Sequence, residues 1–232
     1  MTVLIVIIVM VTNMFRNASV AWDMGTQRAE MNTSARAAVE YIARELSCAV
    51  AGSMPDAAGV PVTLKRFKLD NNPAELTTNL SFISISGDDN TLRGIRFRFD
   101  SVDRIIETCR KTSSNFKRYD DLNWDSPNSN DNWAGIALLI TNVWRFQVIS
   151  YDTEDDMQKG VSSLTYDSST TPSDLLPACV DISIEMLGEA NMARALSLVG
   201  PDDDPNSPRY GFVMTNSRVY TTRVFFPNRG SR

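Results

Sequence analysis

Two periodicities divide the chain. Residues 3–11 read VLIVIIVMV, an unbroken apolar run that Met14 and Phe15 extend past Thr12 and Asn13. Residues 16–50 hold no proline, one glycine (Gly25) and many alanines, glutamates and arginines, which is helical composition. Towards the end of this stretch Ala35, Val39, Ile42 and Leu46, with Ala38 and Ala49 alongside, recur at helical spacing, while Arg36, Glu40, Arg44 and Glu45 fall largely elsewhere. The pattern predicts one continuous helix, apolar all round in its first half and amphipathic in its second. At 1.5 Å per residue it would be about 75 Å long, with Gly52, Pro55 and Gly59 to end it. Val39, Ile42 and Leu46 are the expected contacts of this helix with the rest of the chain.

Beyond Gly59 the pattern changes to alternation, the mark of half-buried strands. Val62, Leu64, Phe67 and Leu69 begin it; Leu80, Phe82, Ile83 and Ile85 continue; then Leu92, Ile95, Phe97 and Phe99 follow with arginines interleaved. Ile105, Ile106 and Thr108 mark another strand, and residues 136–151 read as two strands or one broken at Thr141 and Asn142. Strands are also expected over 180–187 and 219–226, with a short helix over 189–198. The polar stretches 113–132, 153–177 and 200–208 read as surface loops of an antiparallel sheet. The fold class expected is α+β, a long amino-terminal helix (1–51) packed on an antiparallel β-rich head (52–232), with no internal repeat.

The first apolar run narrows the reading further. A bilayer needs about 20 apolar residues in a helix, so residues 3–15 are too short to span unaided. No basic leader precedes the run and no small-residue cleavage site follows it, which disfavours a cleaved secretory signal. Full hydrophobicity from the first residues implies that the chain begins inside a membrane segment, with residues missing upstream. Val3, Leu4, Ile5, Val6, Ile7, Ile8, Val9, Val11 and Phe15 are its membrane-embedded positions.

Charge and composition exclude more than they assign. A net charge of −5 and scattered basic residues (Lys65, Arg66, Lys68; Arg93, Arg96, Arg98) point to a solvated sheet face rather than a nucleic-acid footprint. The absence of histidine removes the commonest general base, the Ser-His and Cys-His pairs and the commonest zinc ligand. Cys48, Cys109 and Cys179 lack CxxC spacing; one disulfide among them and buried free thiols are both open. No P-loop, GxGxxG or GxSxG occurs, so no enzyme is expected and no cofactor is required.

Asp202, Asp203 and Asp204 with Asn206, and the run Glu154, Asp155, Asp156, could offer oxygen ligands to Ca²⁺, which takes about six to eight. Neither has the spacing of a calcium loop, and a solvated acidic loop is the favoured reading. Trp124 and Trp133 flank an Asn- and Ser-rich stretch and are candidates for glycan contact, whereas Trp144, inside a strand, reads as core. The Asn-x-Ser/Thr triplets at Asn17, Asn32 and Asn79 fall in helix or strand and look incidental.

A long helix with an apolar first half followed by an antiparallel sheet resembles the type IV pilin and type II secretion pseudopilin superfamily. The segment from TVLIVIIVMV to AAVEYIARELS is similar to the helix of J-type minor pseudopilins, and TLRGIRFRFD, ALLITNVWRFQVISYD and LLPACVDISIEML follow in that family's order. The ending YTTRVFFPNR is similar to verrucomicrobial pilin-like cassette proteins. The resemblance implies a structural minor pilin or pseudopilin of the bacterial inner membrane, single pass, with its head in the periplasm. Residues 3–15 would then pack against the helices of other pilin subunits, without a nucleic-acid partner. The family's Gly-Phe-Thr-Leu-x-Glu processing motif would lie upstream of Met1, so its membrane glutamate has no counterpart here. The alternative is a single-pass anchored module that holds glycan or peptide near Trp124 and Trp133 and does not polymerise.

Overall fold

The computed structural model describes residues 2–50, 54–55, 61–62, 67–72, 77–85, 92–112, 134–168, 175–202 and 204–226. Helix α1 spans Thr2–Ser47, 46 residues, about 69 Å at 1.5 Å per residue. It stops short of Gly52 because the chain is drawn into a sheet: Ala49 bridges Ser84, and Val50 N donates to Ile83 O at 3.0 Å. Gly52 and Gly59 lie outside the described residues.

The strands are β1 (Met54–Pro55), β2 (Pro61–Val62), β3 (Phe67–Asn72), β4 (Thr77–Ile85), β5 (Leu92–Asp100), β6 (Ile105–Thr112), β7 (Ala134–Ile140), β8 (Val143–Tyr151), β9 (Thr165–Asp167), β10 (Cys179–Met186) and β11 (Arg218–Phe225). Among the described residues they form a β1-β2 pair, a six-stranded sheet β7-β6-β5-β4-β3-β9 and a three-stranded sheet β11-β10-β8. Every pairing is antiparallel. The break expected at Thr141 and Asn142 is where the chain leaves the larger sheet for the smaller, with Asn142 in the left-handed region at φ 58. Asparagine tolerates that conformation better than most residues.

Alternation decides what each strand buries. In β8 and β10 the even-numbered residues Phe146, Val148, Val180, Ile182 and Ile184 point inward, while Gln147, Ile149, Asp181 and Ser183 are half-buried on the other face. From the larger sheet Phe67, Leu69, Leu80, Phe82, Ile95, Phe97, Phe99 and Ile106 join the same core. Its remaining wall is the second half of α1: Ala35, Ala38, Val39, Ile42 and Leu46, with Ile42 and Leu46 fully buried at 0 % exposure. Tyr41 meets Phe97 edge-on at 6.0 Å, and Phe82 lies 6.1 Å from Phe97, so rings tie helix to sheet.

Strand β8 is an edge of its sheet, and exposed edges invite pairing with other chains. Here side chains of the other sheet close it. Trp144 O accepts from Arg104 Nη1 at 3.0 Å, Phe146 O from Thr78 Oγ1 at 2.6 Å, and Val148 O from Asn71 Nδ2. Ser150 then exchanges backbone bonds with Ser163 at 3.0 and 2.9 Å. Carbonyls two apart along a strand point the same way, so one row of acceptors is satisfied by donors from β3, β4 and the β5–β6 turn.

Three elements lie where the sequence reads as loop or where no helix is expected. Helix α2 (Glu154–Lys159) and β9 fall within 153–177, and α4 (Pro208–Asn216) follows Ser207. Helix α3 (Glu189–Ser197) occupies the span expected for a short helix. Trp144, Leu187, Met192, Ala195 and Val213 form a second small core beneath α3 and α4. The expected solvated arginine face is corrected: Arg96 is only 7 % exposed and donates to Asn79 Oδ1 at 3.4 Å, while Arg98 pairs with Glu107 at 2.7 Å. Lys65 and Arg66 lie outside the described residues.

Replacing Ile42 by Ala removes buried methylene groups at the centre of this core and is expected to cost about 2–5 kcal/mol. Urea unfolding checks it: the midpoint should fall with an unchanged slope, and a cost under about 1 kcal/mol would mean that α1 is not integral to the core.

Candidate functional site

The first half of α1 stands clear of the head. Leu4, Ile5, Ile7, Ile8, Val9, Val11 and Phe15 are all exposed, Phe15 to 74 %, and so are Met10, Met14, Val20, Trp22 and Met24. Val3 and Val6 lie in the same helix, their side chains outside the described set. Successive residues sit about 100° apart around the axis, so this run presents apolar surface on every side. The first side chain to touch the core is Met31, and the first fully buried one is Ala35. Among the described residues no helix is long and apolar enough to cross a membrane.

The acidic candidates separate into different environments. Asp202 is 9 % exposed at its side chain, with both oxygens engaged: Oδ2 accepts from Arg104 Nη2 and Oδ1 from Arg209 Nη1, each at 3.0 Å. Asp204 Oδ1 accepts from its own turn, from Asn206 N at 3.0 Å and Asn206 Nδ2 at 3.3 Å. Asp203 lies outside the described residues. Glu154, Asp155 and Asp156 form the first turn of α2, where Thr153 caps Asp156 N at 3.0 Å and Lys159 pairs with Asp155 at 2.5 Å. Among the described residues no group of three or more acidic or thiol side chains is placed to hold a metal ion.

The Arg104–Asp202–Arg209 triad is the feature that sequence reading misses. Arg104 sits in the left-handed region at φ 57, its guanidinium 4.3 Å from the Trp144 ring centroid. Arg209 Nε and Nη2 donate to Leu198 O, at 2.9 and 2.5 Å, just past the end of α3. The loop between α3 and α4 is folded tightly against this triad. Gly200, at φ 123, lies so close to Ser207 that a β-carbon there would approach Ser207 Oγ to 2.2 Å. That hydroxyl caps α4 through Arg209 N at 3.2 Å.

The chain is similar to a type IV-like pilin from Thermus thermophilus, at 10 % identity over 87 % of this chain and 100 % of the other, with a TM-score of 0.44. No family model matches the chain, and no curated protein sequence does.

The remaining candidates are placed as follows. Trp144 is core at 2 % exposure, while Trp124 and Trp133 lie outside the described residues. Asn17 is exposed on α1, Asn32 accepts from Tyr220 OH, and Asn79 lies within β4. All three cysteines are free, Cys109 and Cys179 buried and Cys48 exposed. Burial pushes the Cys109 thiol up, only partly offset by Arg96, which opposes thiolate reactivity. On the outer face of the smaller sheet Arg223 grips Asp181 with two bonds of 2.6 Å, and Tyr151 OH donates to the same carboxylate at 3.2 Å.

Two predictions arise from these ion pairs. Asp202→Asn would leave Arg104 and Arg209 facing an uncharged amide in a nearly closed site, with an expected cost of about 3–5 kcal/mol in denaturant unfolding. Asp181 is a milder, pH-dependent case. Bonding from Arg223, against the opposing effect of burial, holds its carboxyl below the usual range. A depressed folded pKa stabilises above the unfolded value of about 3.9 and is lost as pH falls through the folded one. The melting temperature should therefore fall on acidification below about pH 4, and fall less in Asp181→Asn, whose neutral-pH cost is under about 1 kcal/mol because the pair is partly solvated.

Proposed function

We propose that this chain is a structural subunit of the pilin class, a minor pilin or pseudopilin of a type IV pilus-like or type II secretion-like filament. In this reading the first half of α1 sits in the bacterial inner membrane or among the helices of other subunits, and the head projects outside the cytoplasm. The observation that carries it is the exposed apolar surface on every side of α1 from Leu4 to Val11, continued by Met14, Phe15, Val20, Trp22 and Met24 among polar residues. Water is a poor environment for such a helix: burying each large aliphatic or aromatic side chain is worth about 1.5–3 kcal/mol. Seven such residues at the sequence-predicted positions amount to an upper bound on the order of 10–20 kcal/mol. That matches or exceeds the roughly 4–15 kcal/mol that association costs in lost freedom. A helix apolar on all sides needs neighbours on all sides, which fits a multi-subunit bundle better than a single partner.

The division of labour within α1 supports the same reading. Its second half is committed to the head, whereas the large apolar side chains of its first half are exposed among the described residues, so the helix can couple a folded domain to an assembly without competing for the same side chains. In this reading the role is structural, and burial holds the Cys109 thiol away from its reactive form.

The test is Ile8→Asp combined with Val11→Asp in the full chain. Self-association in detergent and recovery with the membrane fraction are both expected to drop by at least about tenfold, while the head melts at the wild-type temperature. Unchanged association and unchanged membrane recovery would refute the reading.

A further inference from the structure

We propose that Arg96 is a carboxylate-binding site: its guanidinium, held beside Ser81 on the outer face of the larger sheet, receives a carboxylate from outside the chain. The site goes beyond the subunit reading and does not rest on it. Ile95 and Phe97 point into the core shared with α1, so Arg96, between them on β5, points to the opposite face.

On that face a row of directly opposed residues crosses four strands: Lys68 of β3, Ser81 of β4, Arg96 of β5 and Cys109 of β6. Opposed side chains in an antiparallel sheet stand about 4.5–5.5 Å apart at Cβ, which puts the Ser81 hydroxyl and the Cys109 thiol on either side of Arg96. The next row holds Asp70, Asn79, Arg98 and Glu107. The other charges of these rows are matched or solvated. Arg98 holds Glu107 with bonds of 3.0 and 2.7 Å and has Asp100 at 3.8 Å. Lys68 stands opposite Asp167 of β9, and Asp70 is exposed.

Arg96 differs from them. It is only 7 % exposed, and among the described residues no carboxylate lies within ion-pair distance of it. Its hydrogen bond from Nη2 to Asn79 Oδ1 is 3.4 Å, longer than a good N–H···O contact. A buried charge left without a partner is costly to the fold. Burial pulls the Arg96 guanidinium below its ordinary value. Cys109 opposes that shift only as a thiolate, a form that burial disfavours, and Arg98 works against the charge of Arg96 more than Glu107 works for it.

The guanidinium is nevertheless open at one edge. Arg104 Nε is sealed from solvent without a partner, whereas no nitrogen of Arg96 is in that state. A planar guanidinium with donors to spare fits the two oxygens of a carboxylate, and the hydroxyl of Ser81 stands beside it as a further donor. One unmatched positive charge selects a monoanion. A phosphate dianion would bring an excess negative charge into a largely desolvated site that already has Glu107 nearby.

The test uses the full chain in neutral detergent. The backbone amide resonances of Ser81, Arg96 and Cys109 are followed as sodium acetate is added at constant pH and ionic strength, with sodium chloride and sodium phosphate as comparisons. Acetate should shift all three along a saturating curve, with an apparent Kd at least about tenfold below that of phosphate. N-acetylglycine should bind as well and N-acetylglycinamide should not. Tighter binding of N-acetylglycine than of acetate would mark a peptide carboxylate as the source, and equal binding a free acid. Arg96→Met should abolish the shifts and leave the melting temperature unchanged or higher, because it removes an unpaired buried charge. Arg96→Lys should weaken acetate binding several-fold, since a point charge lacks the planar fork. Shifts that never saturate, that chloride reproduces, or that persist in Arg96→Met would overturn the site. So would an Arg96→Met chain that melts well below the wild type when acetate has no effect on either, which would make Arg96 a structural residue. If the methionine variant does not fold, wild-type acetate affinity in Arg96→Lys overturns the site by itself. Each of these outcomes leaves the subunit reading untouched, because none depends on the exposed half of α1.

Discussion

The second half of α1 is the wall on which both sheets close. Ala35, Ala38, Val39, Ile42 and Leu46 form one stripe, and the inward faces of β4, β5, β10 and β11 are built around it. Neither sheet could bury its apolar face without the helix, and a sheet with an open apolar face is not stable in water. The alanines allow close approach, the branched residues fill the space between strands, and the edge-on contact of Tyr41 with Phe97 fixes the rotation of the helix. That rotation in turn determines which side of α1 faces outward where it leaves the head.

With the helix in place, the two sheets are joined by polar groups as much as by apolar packing. Arg104, Thr78 and Asn71 each present a donor to the free edge of β8, two residues apart, so that the smaller sheet is docked in register rather than merely pressed against the larger one. Arg104 serves a second purpose through Asp202 and Arg209, which hold the α3–α4 segment over Trp144. Hydrogen bonds made to buried carbonyls matter less for their net strength than for the penalty when they are missing, which makes this seam directional. An edge sealed in this way is withheld from strand pairing with other chains.

The functional reading follows from what this construction leaves out. A head that satisfies its own core and its β8 edge still carries a helix whose first half is exposed among the described residues. Exposed apolar residues scattered singly over a surface are ordinary; a contiguous helical run of them is a binding surface.

Much of the architecture is legible in the residue pattern because helical and strand periodicities are local. The two halves of α1, the strands from β3 to β8, the break at Thr141 and Asn142, the short helix α3 and the buried place of Trp144 all show in spacing or in flanking residues. Helix α4 was signalled only by Ser207 before Pro208, a cap and a first-turn proline. Alternation could not reveal that β7 and β8 belong to different sheets, since period two is the same in either. Nor could composition distinguish Asp202 from its acidic neighbours, because the arginines that claim it lie 98 residues before and 7 after it in the chain. The sequence by itself determined the elements and the stripe each would bury. Which charges are consumed in the fold is settled only in three dimensions, because ion pairs and sheet edges are made between residues that folding brings together.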